Sequence, residues 1–229
     1  MGIPYNSKEG REFFEQLSFH LTMISMAESI EIAKEKGAYP AFDYNLFVNA
    51  NERLFDQLNI EVREAYLHDL QKYGVRNSCF TSFAPNGTIS YIAGMLSGGI
   101  EPVYALAYSR DIEKENKQYE TVYIVDPIFE DYLNEYYEEE ERISILKKVV
   151  KDKGSCQNVE EIPEQERLVF VTAHDLSPDE HLDILGIVAK NTSLSVSKTI
   201  NLPKTATRED ISNIYIRAHE LGVIGVTVK

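Results

Sequence analysis

Cysteine and basic side chains are both scarce in this chain. Cysteine occurs only at Cys79 and Cys156, far apart and in no CxxC pair. This excludes a four-cysteine metal site and argues against a disulfide framework, so both read as buried or incidental thiols. Lysine and arginine total 23 against 37 aspartates and glutamates, a net charge of −14. Such a chain is poorly suited to coating a nucleic-acid backbone, where basic patches supply the affinity. If it binds an anion, it must do so with a local device. No apolar run approaches the ~20 residues of a membrane span. The opening MGIPYNSKEGRE has no apolar core after a basic stretch, so no signal peptide is read and the cytoplasm is the expected compartment. Neither a Walker A loop nor a GxGxxG fingerprint is present.

The 229 residues suffice for one large domain or two small ones with a sizeable core. Ser7 is positioned to cap a helix to Lys36, with Phe13, Leu17, Leu21, Ile24, Ala27 and Ile30 as its buried face and Gly37 as its stop. A second helix is predicted over Ile60 to Tyr73, then a strand over Arg76 to Phe83, a turn at Pro85-Asn86-Gly87 and a helix over Thr88 to Leu96. Ser97-Gly98-Gly99 breaks that helix. Tyr119 to Val125 reads as a strand or an irregular segment. Ile128 to Lys151 reads as a charged helix with room for a break, and its run Glu138 to Glu141 as a solvated face or loop. From Leu168 the pattern alternates. Strands are predicted at Leu168 to Thr172, Leu194 to Thr199 and Val223 to Val228, and helices from Pro178 to Lys190 and from Arg208 to Leu221 under a Thr207 cap. Alternation of this kind predicts parallel strands with helices packed outside. The final strand at Lys229 is an edge suited to pairing with something further.

The segment that carries chemistry is Ala84-Pro85-Asn86-Gly87-Thr88-Ile89-Ser90, which joins a predicted strand to a predicted helix. Amides at a helix start lack internal partners, and the aligned peptide dipoles favour negative charge there. Gly87 lets the backbone approach a ligand, and the Thr88 and Ser90 hydroxyls can add hydrogen bonds. Together these make a phosphate cradle without lysine or arginine.

The surroundings extend this into a longer signature. Arg76-Asn77-Ser78, the loop itself, Ile92-Ala93-Gly94 and Ser97-Gly98-Gly99-Ile100-Glu101-Pro102 together resemble the phosphate-loop region of the large catalytic chain of adenosylcobalamin-dependent (class II) ribonucleotide reductases. Collinear blocks agree: Met1 to Ser7 with Glu9-Gly10-Arg11, Ala33 to Phe42, Phe170 to Pro178 with His181, Ser197 to Pro203, and the ending Glu220-Leu221-Gly222 with Gly225 to Val228. The resemblance implies a single domain over residues 1–229, the C-terminal half of a ten-stranded α/β barrel of parallel strands with outer helices. It implies that Asn86, Gly87, Thr88, Ile89 and Ser90 bind substrate phosphates, with Pro85, Ser97, Gly98, Gly99 and Glu101 supporting the loop.

In the family, a finger loop presents a cysteine that adenosylcobalamin converts to a thiyl radical, and further cysteines supply electrons. By resemblance that loop lies upstream of Met1 and the terminal CxxC tail beyond Lys229, so no catalytic residue is assigned. Neither Cys79 nor Cys156 matches a catalytic position. Asn86 stands where threonine is usual, and Gly98 where serine is usual. The resemblance thus implies part of an oxidoreductase of deoxyribonucleotide synthesis, itself inactive. Its expected partners are a ribonucleotide and an N-terminal half or separate chain bearing the finger-loop cysteine. Cobalamin is expected in the complete enzyme and not in this chain alone. The alternatives are a non-catalytic reductase-like subunit or pseudo-enzyme that binds nucleotide or completes a barrel with a partner chain, and an unrelated phosphate-binding module on a parallel sheet.

Other features read as structural. Asp175 before a helix favours the dipole there, and His181 lies in that helix's first turn, so with His174 they do not make a metal site. Lys198 reads as an ion-pair partner or a surface residue rather than one near substrate. The fourteen tyrosines read as core and interface residues.

Overall fold

The computed structural model describes residues 2–94, 97–113 and 119–229. Helix α1 runs Lys8–Lys36, with the Ser7 hydroxyl accepting from the Gly10 amide and Gly37 closing it at φ 77°. Its buried face differs from the expected one. Leu17, Leu21 and Ile24 are exposed, Ile24 at 66%, while Ser18, Thr22, Met23, Met26, Ser29, Ile30 and Ala33 are buried. The reason is local. Small hydroxyl residues allow close approach and bond across the contact: Thr22 Oγ1 donates to Asn191 O at 2.6 Å, and Ser29 Oγ meets both Asn77 Oδ1 and the Asn77 amide.

Two short helices follow that the sequence pattern did not reveal, α2 (Tyr44–Ala50), capped by Asp43, and α3 (Glu52–Phe55). Helix α4 spans Ile60–Tyr73 as expected, between an Asn59 cap and Gly74. These helices enclose a first core built on Met26, Ile30, Phe47, Leu54, Phe55 and Leu70. The short α5 (Gly87–Ile92) begins one residue before the expected start, and the expected end at Leu96 lies outside the described residues.

Strands β1 (Ala107–Glu113) and β2 (Tyr119–Val125) form an antiparallel pair, in register from Ala107–Val125 to Glu113–Tyr119. β2 was one of two readings of its segment, and β1 was not foreseen. The expected charged helix is two, α6 (Pro127–Tyr136) and α7 (Glu139–Lys151). The acidic run falls at this break, and Glu139, Glu140 and Glu141 occupy the first turn of α7, where the helix dipole favours negative charge. These elements close a second core on Phe129, Leu133, Ile145, Val149, Cys156 and Ile162.

The strand expected at Leu168 to Thr172 is not formed. Helix α8 covers Glu164–Val169 and the chain continues as a loop through Ala173, whose amide bonds Val103 O. A short apolar run does not discriminate helix from strand, and packing of Phe170 on Phe129 decides it here. Helix α9 (Pro178–Lys190) has a capping box of Ser177 and Glu180, and α10 (Arg208–Glu220) one of Thr207 and Asp210. β3 (Thr199–Ile200) and β4 (Thr227–Val228) pair in parallel across α10.

The strand predicted over Arg76 to Phe83 is not formed beyond a single parallel bridge of Phe83 to Val196, and those predicted over Leu194 to Thr199 and Val223 to Val228 are regular only at Thr199 and at Thr227–Val228. Their extended runs still lie side by side in parallel. Leu194 N–H bonds Thr81 O, Phe83 N–H bonds Ser195 O, and Lys229 N–H bonds Ile200 O at 3.0 Å. Of the five parallel strands a half-barrel would have, the described residues show these three runs, and the other sheet is antiparallel. Val196 and Ile200 pack toward α9 and α10, leaving Ser195 and Ser197 on the open face.

Candidate anion-binding loop

The first parallel run ends at Phe83, whose carbonyl accepts the Ser197 amide at 2.8 Å. Pro85 follows, and with no N–H it cannot continue the pairing. Asn86 then turns the chain in the left-handed region at φ 51°. Asparagine enters that region more readily than a β-branched residue. The first helical bond of α5 runs from Ser90 N–H to Asn86 O at 2.9 Å, so the amides of Gly87, Thr88 and Ile89 precede it. Residues 84–89 are exposed and Ser90 half-buried. A Cβ built on Gly87 meets nothing within 4 Å, so the space in front of this backbone is open.

The loop thus collects Asn86 to Ser90 at the C-terminal tip of a parallel run, as the sequence predicted. One hydroxyl differs. Ser90 Oγ donates to Gly87 O at 2.7 Å, so its proton is committed within the turn and Thr88 is left as the exposed hydroxyl.

The support residues sit directly behind. A Cβ on Gly98 would lie 2.2 Å from Pro85 O, and one on Gly99 2.5 Å from Ala84 O. Only bare backbone fits against this loop, and a serine at position 98 would force the two segments apart. Gly99 also has φ 63°. Glu101 N–H returns to Gly98 O at 3.2 Å, and the Glu101 carboxylate accepts from the Thr199 amide and, at 3.0 Å, from Lys198 Nζ. Ser97 lies to one side, lining an apolar cavity of about 510 Å³ with Tyr5, Phe13, Phe14 and Glu101.

Lys198 is no surface residue: its side chain is 0% exposed and ion-paired with Glu101. Burial pulls its ammonium below the ordinary lysine range, and Glu101 opposes that pull. Burial, reinforced by the Glu101 charge, holds the Tyr5 phenol protonated far above its ordinary range. The positive charge nearest the loop's support is therefore consumed internally, and the exposed donors of the loop itself are amides and the Thr88 hydroxyl.

Asp175 does not cap the helix after it. Its carboxylate accepts from Thr172 N–H, Thr172 Oγ1 and Ser155 Oγ, tying two loops together. His181 is buried with Nε2 on Ala173 O, and His174 packs edge-on to Tyr104 at 4.6 Å. Cys156 is buried, donates to Phe170 O, and burial, with Asp175 adding, pushes its thiol up to about 12; Cys79 is exposed.

A cavity of about 750 Å³ on the open face of the parallel runs was not foreseen; Arg53, Ser193, Ser195, Ser197 and Thr227 are among its lining. Its signal lies in Ser195-Val196-Ser197-Lys198-Thr199-Ile200, where small polar side chains alternate with buried ones.

Parallel runs with a glycine-backed amide loop at their C-terminal tip define an α/β protein with a candidate anion seat. The ribonucleotide reductase barrel-domain family matches residues 1–229, and the chain belongs to that family. It is 31% identical over 230 residues to a vitamin B12-dependent ribonucleoside-diphosphate reductase of Mycobacterium tuberculosis, covering 100% of this chain and 28% of that protein. Identity to the enzyme of the same name from Thermoplasma acidophilum is 35%, over 99% of this chain and 26% of that protein. The chain therefore spans about a quarter of these relatives' length. The class Id ribonucleotide reductase alpha subunit of Actinobacillus ureae superposes with a TM-score of 0.69 at 20% identity, over 100% of this chain and 36% of that one, which is a likeness of fold. No helix among the described residues is long and apolar enough to cross a membrane.

Proposed function

We propose that this chain is the substrate-phosphate-binding, C-terminal portion of the barrel of a cobalamin-dependent ribonucleotide reductase. The observation that carries the reading is the exposed amide series Gly87, Thr88 and Ile89 at the tip of a parallel run. Family membership and the B12-dependent relatives give it its context. In this reading the five residues Asn86 to Ser90 seat the phosphates of a ribonucleotide, and Pro85, Ser97, Gly98, Gly99 and Glu101 hold the seat. Each amide bond to a phosphate oxygen is charge-assisted and contributes about 1.5–3 kcal/mol. That suffices for an acidic chain without a cationic patch.

The residues of this chain fit the anionic substrate and not the cofactor. A radical-carrying thiol must be reachable by the radical source and the substrate, yet Cys156 is buried, and Cys79 lies on the run leading into the loop rather than in it. We assign the thiyl chemistry, and the adenosylcobalamin that starts it, to cysteines and surfaces outside these residues. This chain's own part is to bind the phosphates and orient the nucleotide along the open face beside Ser195 and Ser197. The exposed apolar side chains of Leu17, Ile24, Ile92 and Ile224 suit coverage by the remainder of a barrel.

Gly87→Val tests the reading. A side chain there enters open space, so folding stability is expected to hold while affinity for a ribonucleoside diphosphate or for pyrophosphate, measured calorimetrically, falls at least about tenfold. Equal affinity in variant and wild type would remove the loop from the binding site.

A further inference from the structure

The pairing of Phe83 with the 195–197 run stops one rung short of where its geometry leads. In a parallel ladder one residue donates to and accepts from residues on either side of its partner. Phe83 N–H donates to Ser195 O at 3.1 Å, and Phe83 O accepts from Ser197 N–H at 2.8 Å. The next rung would place a Pro85 N–H on Ser197 O and Thr199 N–H on Pro85 O. Pro85 has no N–H, and the chain turns away. Thr199 N–H is instead taken by Glu101 Oε1, while Glu101 Oε2 lies 3.0 Å from Lys198 Nζ. A side-chain carboxylate thus stands in for the carbonyl of the departed strand.

The rest of the Glu101 segment reaches back to the loop. Tyr5 donates its hydroxyl proton to Ile100 O, and Lys198 Nζ lies 5.4 Å above the Tyr5 ring. Gly98 and Gly99 press against the carbonyls of Pro85 and Ala84. The contacts close a ring: the chain leaves the ladder at Phe83, makes the anion loop, is backed by Gly98 and Gly99, and is returned to the next rung by Glu101. A buried ion pair contributes little net stability against neutral groups of the same volume, so stability alone does not account for it.

We propose that Glu101, held by Lys198, is the positioning residue of the anion loop, setting where Gly98 and Gly99 stand and hence the spacing of the Gly87, Thr88 and Ile89 amides. Its functional meaning rests on the phosphate reading of that loop, whereas its geometry does not. The test is hydrogen exchange by mass spectrometry on the full chain, alongside pyrophosphate titration. In Glu101→Ala/Lys198→Met, which removes both charges and the acceptor for Thr199, exchange of the Ser90 and Glu101 amides, which are bonded to Asn86 O and Gly98 O, is expected to rise about tenfold or more, with α9 and α10 protected as in wild type. Glu101→Gln in the same Lys198→Met background restores an acceptor and should bring loop exchange back toward wild type. If the Ala/Met chain loses its core protection, Glu101→Asp carries the same test, because it keeps a charge opposite Lys198 and withdraws the carboxylate from the Thr199 amide by one methylene. Unchanged loop exchange in a folded variant overturns the proposal, as does pyrophosphate affinity that survives the loosening. Faster loop exchange in a chain whose wild type takes up no pyrophosphate leaves the positioning role standing and discards the phosphate reading.

Discussion

Asn86, Cys79, Cys156 and His181 show how much one side chain's surroundings decide. The family resemblance marks Asn86 as a departure from threonine, and the left-handed backbone at φ 51° supplies a physical reason for asparagine there. The cysteines look equivalent in the sequence and are opposite in the fold. Iodoacetamide is expected to label Cys79 in the native chain and Cys156 only after unfolding, since the latter is buried with its thiol pushed up to about 12. Peptide mass mapping before and after urea checks this, and native labelling of Cys156 would contradict the burial. For His181, burial first and the Lys198 charge second push the imidazole down to about 4. The unfolded chain takes up a proton near pH 6.5 that the folded chain refuses until about 4. This contribution to stability is therefore whole above the unfolded value and is lost as the pH falls through that window. The urea midpoint should drop between pH 7 and 4.5, and drop less in His181→Gln; identical slopes would refute the assignment.

At the scale of elements, boundaries set by local chemistry were legible and those set by packing were not. The Ser7 and Thr207 caps, the Gly74 stop and Pro178 in the first helical turn are all local signals, so the sequence alone located α1, α4, α9 and α10, and the structure adds the Asn59 and Ser177 caps. The buried face of α1 depends on Asn191, Asn77 and Thr81, which lie far along the chain, and the apolar period was right at Ile30 but not at Leu17, Leu21 and Ile24. At Leu168 to Thr172 the competition was between two uses of one apolar run, and contact with Phe129 and Tyr132 chose the helix and loop. The capping argument is testable at Thr207. Thr207→Ala removes the acceptor for the Asp210 amide and should cost about 1 kcal/mol by urea unfolding. A change too small to measure would mean α10 is held by its contact with α9 alone.

For the molecule as a whole, the acidic net charge bears on the proposed phosphate seat: a chain at −14 repels an anion at long range, so any anion it held would have to be held by short-range donors such as the loop amides. We expect the purified chain to turn over no ribonucleotide with adenosylcobalamin and a dithiol. Activity should appear only when it is combined with a reductase portion carrying the finger-loop cysteine. Deoxynucleotide formation by the chain alone, followed by chromatography, would refute the division of labour proposed above.

The sequence by itself determined the capped helices, the turn at Pro85-Asn86-Gly87 and the family, because each depends on residues adjacent in the chain or on collinear blocks. Only the tertiary structure decided which face of α1 is buried, how far each parallel run pairs, and that Glu101 meets Lys198 and the Thr199 amide. Those contacts span nearly a hundred residues, and their energies depend on desolvation and close approach, which exist only once the chain is folded.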